Sequence, residues 1–298
     1  MFVTCLAILK CQSSPREMSG FLMAKVFPTI NKATHSQTKR FMKNPSDSFV
    51  VNLIILQGVI IPIIFYLEFL HAMAHGFSTF RCFTYNVFRI GPYFMGFAYY
   101  YTICHKEGHS MRGLFANKYH NLVSKSIFNW WIALFFGVMP AAFAFGHSMN
   151  HHRYDNGPLD VVTTADKPRD SFANFVAYLP RWTLYSLNIS SIYQFLVERN
   201  FRVAFSMLGG CVYWWSWFAL WARNSLPFAL GYVLYPFAEN IILLAAINWS
   251  WHAFNDADNP GDEYVTSLTI FDGPMNILNE VRIHHKHPKS KKGLKIYY

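Results

Sequence analysis

Three short stretches, His105-Lys-Glu-Gly-His109, His147-Ser-Met-Asn-His151-His152 and His284-His285-Lys-His287, hold eight of the chain's 13 histidines. Neutral imidazole ligates iron, copper, zinc and nickel, and two residues four apart share a helix face, about 6 Å apart along its axis. One such pair is most often an ordinary helix surface. Three clusters, each behind an apolar run, point to metal chemistry at a membrane surface. Asn248 and His252 repeat the spacing of four where the last apolar run ends. The histidine candidates are then His105, His109, His147, His151, His152, His252, His284, His285 and His287, with Asn248 beside them. A structural zinc takes four ligands and a catalytic zinc three plus water, so this set has the capacity for two metals. Among two-metal sites, a histidine-rich one open to oxygen favours iron.

These residues need a scaffold, and the apolar runs supply one. Residues 49–70, 86–104, 203–222 and 226–247 are each close to the roughly 20 helical residues that cross a hydrocarbon core. Residues 126–146 are equally apolar, but if they crossed, His105 and His109 would face one side of the membrane and His147, His151 and His152 the other. With Gly137 and Pro140 inside it, this segment is expected to enter the protein or lie along the interface without crossing. The expected fold is an all-α membrane protein of four transmembrane helices in two hairpins, a re-entrant or interfacial segment, and a cytoplasmic helical cap carrying the clusters. Residues 1–48 read as a basic cytoplasmic tail before a membrane domain at 49–298. His71 and His75 match the same spacing but fall in the far-side turn, so they are expected to bind no catalytic metal.

Charge tests this topology independently. Of 26 Lys and Arg residues, 23 fall on the proposed histidine side; Arg81 and Arg223 lie in the far turns, and Arg89 sits near the far end of the second span, where it could snorkel. That bias puts the histidine face in the cytoplasm. The net charge of +10 then suits anionic lipid head groups, and no nucleic-acid module accompanies it. A 53% hydrophobic and only 14% charged composition agrees with an embedded chain. Cys5, Cys11, Cys82, Cys104 and Cys211 lack a C-x2-C spacing, which suggests neither a disulfide framework nor a zinc ribbon. No basic region precedes apolar residues 1–9, so the first long span rather than a signal peptide is expected to direct insertion.

The order and spacing of the clusters resemble the histidine boxes of the integral membrane fatty acid desaturase superfamily, over about residues 49–290. His105 to His109 is similar to the first box, His147 to His152 with Arg153 and Tyr154 to the second, and Asn248 and His252 to the pair before the third. The third box departs from the usual H-x2-HH: either His284 and His287 keep the spacing and Pro288 takes the last place, or His284 and His285 are the terminal pair and Val281 stands at the first. The resemblance implies two iron ions, O2 as co-substrate, a lipid or fatty acyl substrate, and an endoplasmic reticulum location in a eukaryote. No nicotinamide, flavin or haem motif is present, so electrons are expected from an external carrier of the cytochrome b5 or ferredoxin type.

Double-bond formation in an acyl chain is the leading expectation. Hydroxylation, monooxygenation or ketolation of a fatty acid, sterol or carotenoid is the alternative on the same scaffold. A non-catalytic metal-binding membrane protein is the alternative of another class. Glu107, Asp155, Asp160, Asp256, Asp258 and Glu280 lie near the boxes and suit acceptors for ligand imidazole N–H groups. Trp214 and Trp217, in the aromatic third span, could wall a substrate channel or face lipid. Glu239 and Asn240, polar within the fourth span, could line a cavity or bond to a neighbouring helix.

Overall fold

The computed structural model describes residues 22–91, 94–110, 113–118, 120–121, 126–154, 156–168 and 170–251, and among these every regular element is helical. Among the described residues, three helices are long and apolar enough to cross a membrane: Pro45–His75 (α2), Phe201–Asn224 (α9) and Leu226–Ser250 (α10). Within the expected tail lies a further helix, α1 (Leu22–Thr38), tied to α2 where Asn52 donates to Asn31 Oδ1 and Thr34 Oγ1.

Proline shapes α2. Pro62 has no N–H for the carbonyl of Gly58, and the helix widens into a π turn at Leu56–Ile60 just before it. The Gly58 carbonyl accepts instead from Trp131 Nε1–H at 2.8 Å. Pro236 likewise follows a π turn, Leu230–Leu234, in α10.

The expected continuous span at 86–104 is instead two helices, α3 (Thr79–Ile90) and α4 (Met95–His109). Gly91 ends α3 with φ 72°, and Pro92 follows it in sequence, where a helix would need an N–H. Together α3 and α4 run back along α2. Arg81 meets Glu68, Gln57 Nε2 donates to the Gly96 carbonyl, and Lys106 pairs with Asp47 at 2.8 Å. The first histidine box therefore lies at the Asp47 end of α2. His71, 24 residues along, is about 36 Å away at a 1.5 Å rise, which separates the His71 and His75 pair from that box.

The apolar segment 126–146 doubles back. Its first arm, α5, is a π turn at Phe128–Ile132 continued by Ala133–Phe136, and it descends beside α2, with Trp131 at Gly58 and Phe135 against Phe65. Gly137 at φ 68° and Ala141 at φ 70° bracket the reversal at Pro140. The second arm, α6, is the π helix Ala142–His151 with a final turn His152–Tyr154, and it returns beside α4, with Phe143 against Tyr101 and His147 against His105. Asn240 donates to the Gly137 carbonyl and Asn188 to that of Pro140, which satisfies two tip carbonyls inside the protein.

The remaining helices pack around this loop. α7 (Phe172–Ser186) and α8 (Ile189–Val197) precede the α9–α10 hairpin, where Trp221 meets Phe228 and Trp214 meets Phe237. Arg89 corrects the snorkelling expectation: it is 1% exposed and turns inward, with Nη2 2.7 Å from Glu239 and within bonding distance of Asn86 Oδ1. A guanidinium beside apolar helices is cheaper to pair than to leave alone, and Glu239 on α10 is the partner within reach.

Candidate metal centre

Two helices of different pitch bring the ligand atoms together. On α4, an ordinary α-helix, the spacing of four brings the His105 and His109 rings edge to face at 4.8 Å. On α6 the π pitch, with its i→i+5 bonds, brings residues five apart into line, and His147 and His152 face each other through Nε2 at 2.8 Å. His147 Nε2 also lies 2.6 Å from His105 Nε2. One ligand atom from each of His105, His109, His147 and His152 falls within 4.8 Å of the others, and His105 and His147 are buried.

The charge state of this group suits a cation. Burial, then the neighbouring imidazoles of His152, His105, His151 and His109, hold His147 well below the usual histidine range, so its ring stays neutral and keeps a lone pair for a metal. Four imidazole nitrogens converging in this way fit one ion of the iron, zinc or copper type. His151 adds a fifth ring, 5.1 Å from that of His147, with Nδ1 held 2.6 Å from Asp160 Oδ2.

Asp160 is itself fixed. Buried, it accepts backbone N–H groups of Asn156 at 3.0 Å and Val162 at 2.9 Å. An Asp160→Asn change keeps the shape but removes the charge that orients His151. Metal affinity is expected to fall about 10–100-fold with the fold retained, as read by iron content against chelator concentration; unchanged retention would remove Asp160 from the site.

Glu107 departs from its expected place beside a ligand imidazole. Its carboxylate accepts the N–H groups of Phe128 and Asn129 and the Asn129 side-chain amide, and so it caps the first turn of α5. Burial pushes its carboxyl up to about 8, against the pull of those three donors. Asn248 on α10 donates to the Tyr178 hydroxyl and is not among the four converging histidines. His252, His284, His285, His287, Asp155, Asp256, Asp258 and Glu280 lie outside the described residues.

A narrow slot opens one turn deeper than the histidines. It is lined by Tyr101, Phe143, Trp182, Ser186, Asn240 and Leu244 among others, so Asn240 alone of the four expected cavity residues borders it. Trp214 and Trp217 pack in the aromatic core, against Phe237 and Phe65 respectively, and Glu239 is taken by Arg89. Two supports escaped sequence reasoning. Asn129 bridges the Cys104 carbonyl and Glu107, and Glu198 binds both Arg153 and the Tyr154 hydroxyl just after the second box. Both act across more than 20 residues of sequence, so no local spacing marks them.

A family model described as fatty acid desaturase matches residues 83–289, more than half of the chain, and so includes all three histidine clusters. No curated protein and no solved structure matches the chain.

Proposed function

We infer this protein's activity from the family to which it belongs, the fatty acid desaturases. It introduces a double bond into a fatty acyl chain, taking two hydrogens from adjacent methylenes while O2, two electrons and two protons become two water molecules. The observation that supports this most directly is the convergence of His105, His109, His147 and His152 above the slot. Two irons would be held by these residues with His151, His252, His284, His285, His287 and Asn248. Bound iron supplies, with O2, the redox chemistry that side chains lack.

The chain's own residues position the substrate. Tyr101 and Phe143 lie four residues before His105 and His147, so the wall of the slot is continuous with the ligand helices. Their rings, 5.0 Å apart and edge to face, keep the approach apolar and exclude water from the reacting methylenes. The chain crosses the membrane four times, and the excess of Lys and Arg on the histidine side supports a cytoplasmic histidine face, with the endoplasmic reticulum the location in a eukaryotic cell. Electrons come from an external cytochrome b5 or ferredoxin, drawn to the basic face.

Expression in a host of defined lipid profile tests the reading, with His151→Ala as control. A new double bond that the control lacks supports desaturation. An alcohol or ketone would select oxygenation on the same scaffold, and an unchanged profile from iron-loaded protein with broad substrate supply would sink the oxidative reading.

A further inference from the structure

The walls of the slot are not uniformly apolar. Tyr101, Val138, Met139, Ala142, Phe143 and Leu244 supply hydrocarbon and ring surface, but Asn240 and Trp182 also border it. Both are nearly inaccessible, at 3% and 4% exposure. Asn240 spends its amide N–H on the Gly137 carbonyl, which fixes the orientation of the amide and leaves Oδ1 an acceptor with no partner. The Trp182 indole N–H is a donor with no partner. Ser186 adds a hydroxyl to the same lining.

A slot for a plain hydrocarbon chain has no use for these atoms. Each buried donor or acceptor left unpaired costs free energy that an apolar residue of similar shape would avoid. Phe at 182 would serve a purely apolar ligand better, and the amide at 240, needed by the Gly137 carbonyl, still leaves its oxygen over. An unpaired acceptor and an unpaired donor on one small cavity call for a ligand group that can both donate and accept. The cavity, about 20 Å³, admits only a group the size of a hydroxyl or a water molecule.

We propose that a lipid chain reaching this slot carries a hydroxyl group, which enters it and pairs with Asn240 Oδ1 and the Trp182 N–H. This names the substrate class for the desaturase reading and rests on it. The substrate is a hydroxylated acyl or long-chain lipid, delivered by a reaction that has already oxygenated the chain. The hydroxyl lies away from the reacting methylenes. Tyr101 and Phe143 stand one helical turn, about 6 Å, below His105 and His147, while Asn240 bonds to the tip of the doubled-back loop at Gly137.

Binding tests this without depending on turnover. Full-length protein in detergent is titrated with octadecanoate and with hydroxyoctadecanoates bearing the hydroxyl at successive positions, followed by thermal shift. One positional isomer is expected to bind about tenfold or more tighter than octadecanoate, because the plain chain leaves both polar atoms unpaired. Trp182→Phe should erase that preference, so that the selected isomer binds no tighter than octadecanoate. Trp182→Phe keeps an aromatic ring in the wall, so a lost preference reports the missing N–H and not a collapsed cavity. Isomers that bind no better than octadecanoate, or a preference that survives Trp182→Phe, would overturn the proposal. Product analysis of the same chains keeps the two readings apart. Double bonds in plain and hydroxylated chains alike defeat only the hydroxyl, whereas a hydroxyl-selective protein that forms no double bond defeats only the desaturase.

Discussion

Purified His147→Ala protein is expected to retain no iron and to form no double bond, a loss of more than about 100-fold, since even residues that merely orient ligands cost 10–100-fold. His147 is the hub of the cluster. Its Nε2 lies 2.6 Å from that of His105 and 2.8 Å from that of His152, and its ring contacts those of His109 and His151 as well. Any ion shared by α4 and α6 therefore loses the one nitrogen central to both helices. The fold should survive. Gly137, Phe143 and the Glu107 cap on α5 hold the doubled-back loop without it. His71→Ala, at the other end of α2, should leave iron and activity unchanged, which controls for nonspecific loss. Wild-type iron content in His147→Ala would show that the four-histidine convergence is not the metal site.

Much of this site was legible because its chemistry is local. The spacing of His105 and His109 needs only an α-helix to become a ligand pair, and the requirement that both boxes share one face forces residues 126–146 to turn back at Gly137 and Pro140. The pitch of α6 was not legible. Read as an α-helix, His147 and His151 would be the natural pair, but the π helix aligns His147 with His152 and hands His151 to Asp160. Nothing in an apolar run announces that change of pitch. Break points were hard for a related reason. Residues 86–104 have the composition of one span, and only the local requirement at Gly91 and Pro92 divides them. Tertiary partners were the least legible of all. Glu107 looks like a companion of its neighbouring histidines, yet it caps a helix 21 residues away. Arg89 looks like a snorkelling cation, yet Glu239, 150 residues away, draws it inward.

Gly137→Ala is expected to prevent folding rather than to weaken it, because this residue sets the tip of the doubled-back loop against α10. A methyl group there would sit 2.2 Å from the carbonyl carbon of Pro236 and 2.3 Å from both the Pro236 oxygen and the Phe237 nitrogen. All three are backbone atoms, and the fixed ring of Pro236 restricts their retreat. The φ of 68° adds about 1–2 kcal/mol for a residue bearing a Cβ. Relief requires the tip to withdraw from α10, which breaks the Asn240 bond to the Gly137 carbonyl and shifts Phe136 and Val138, both buried. The combined cost should exceed about 4 kcal/mol, the range reserved for disrupted cores. Gly209→Ala is the matched control, since a methyl group there meets nothing within 4 Å in the middle of α9 and should stabilise by about 0.5–1 kcal/mol. Thermal denaturation and size-exclusion profiles in detergent compare the two. A monodisperse Gly137→Ala protein that melts near wild type would mean that the loop tip does not wedge against α10, and the shared depth of the slot and the histidine arms would have to be redrawn.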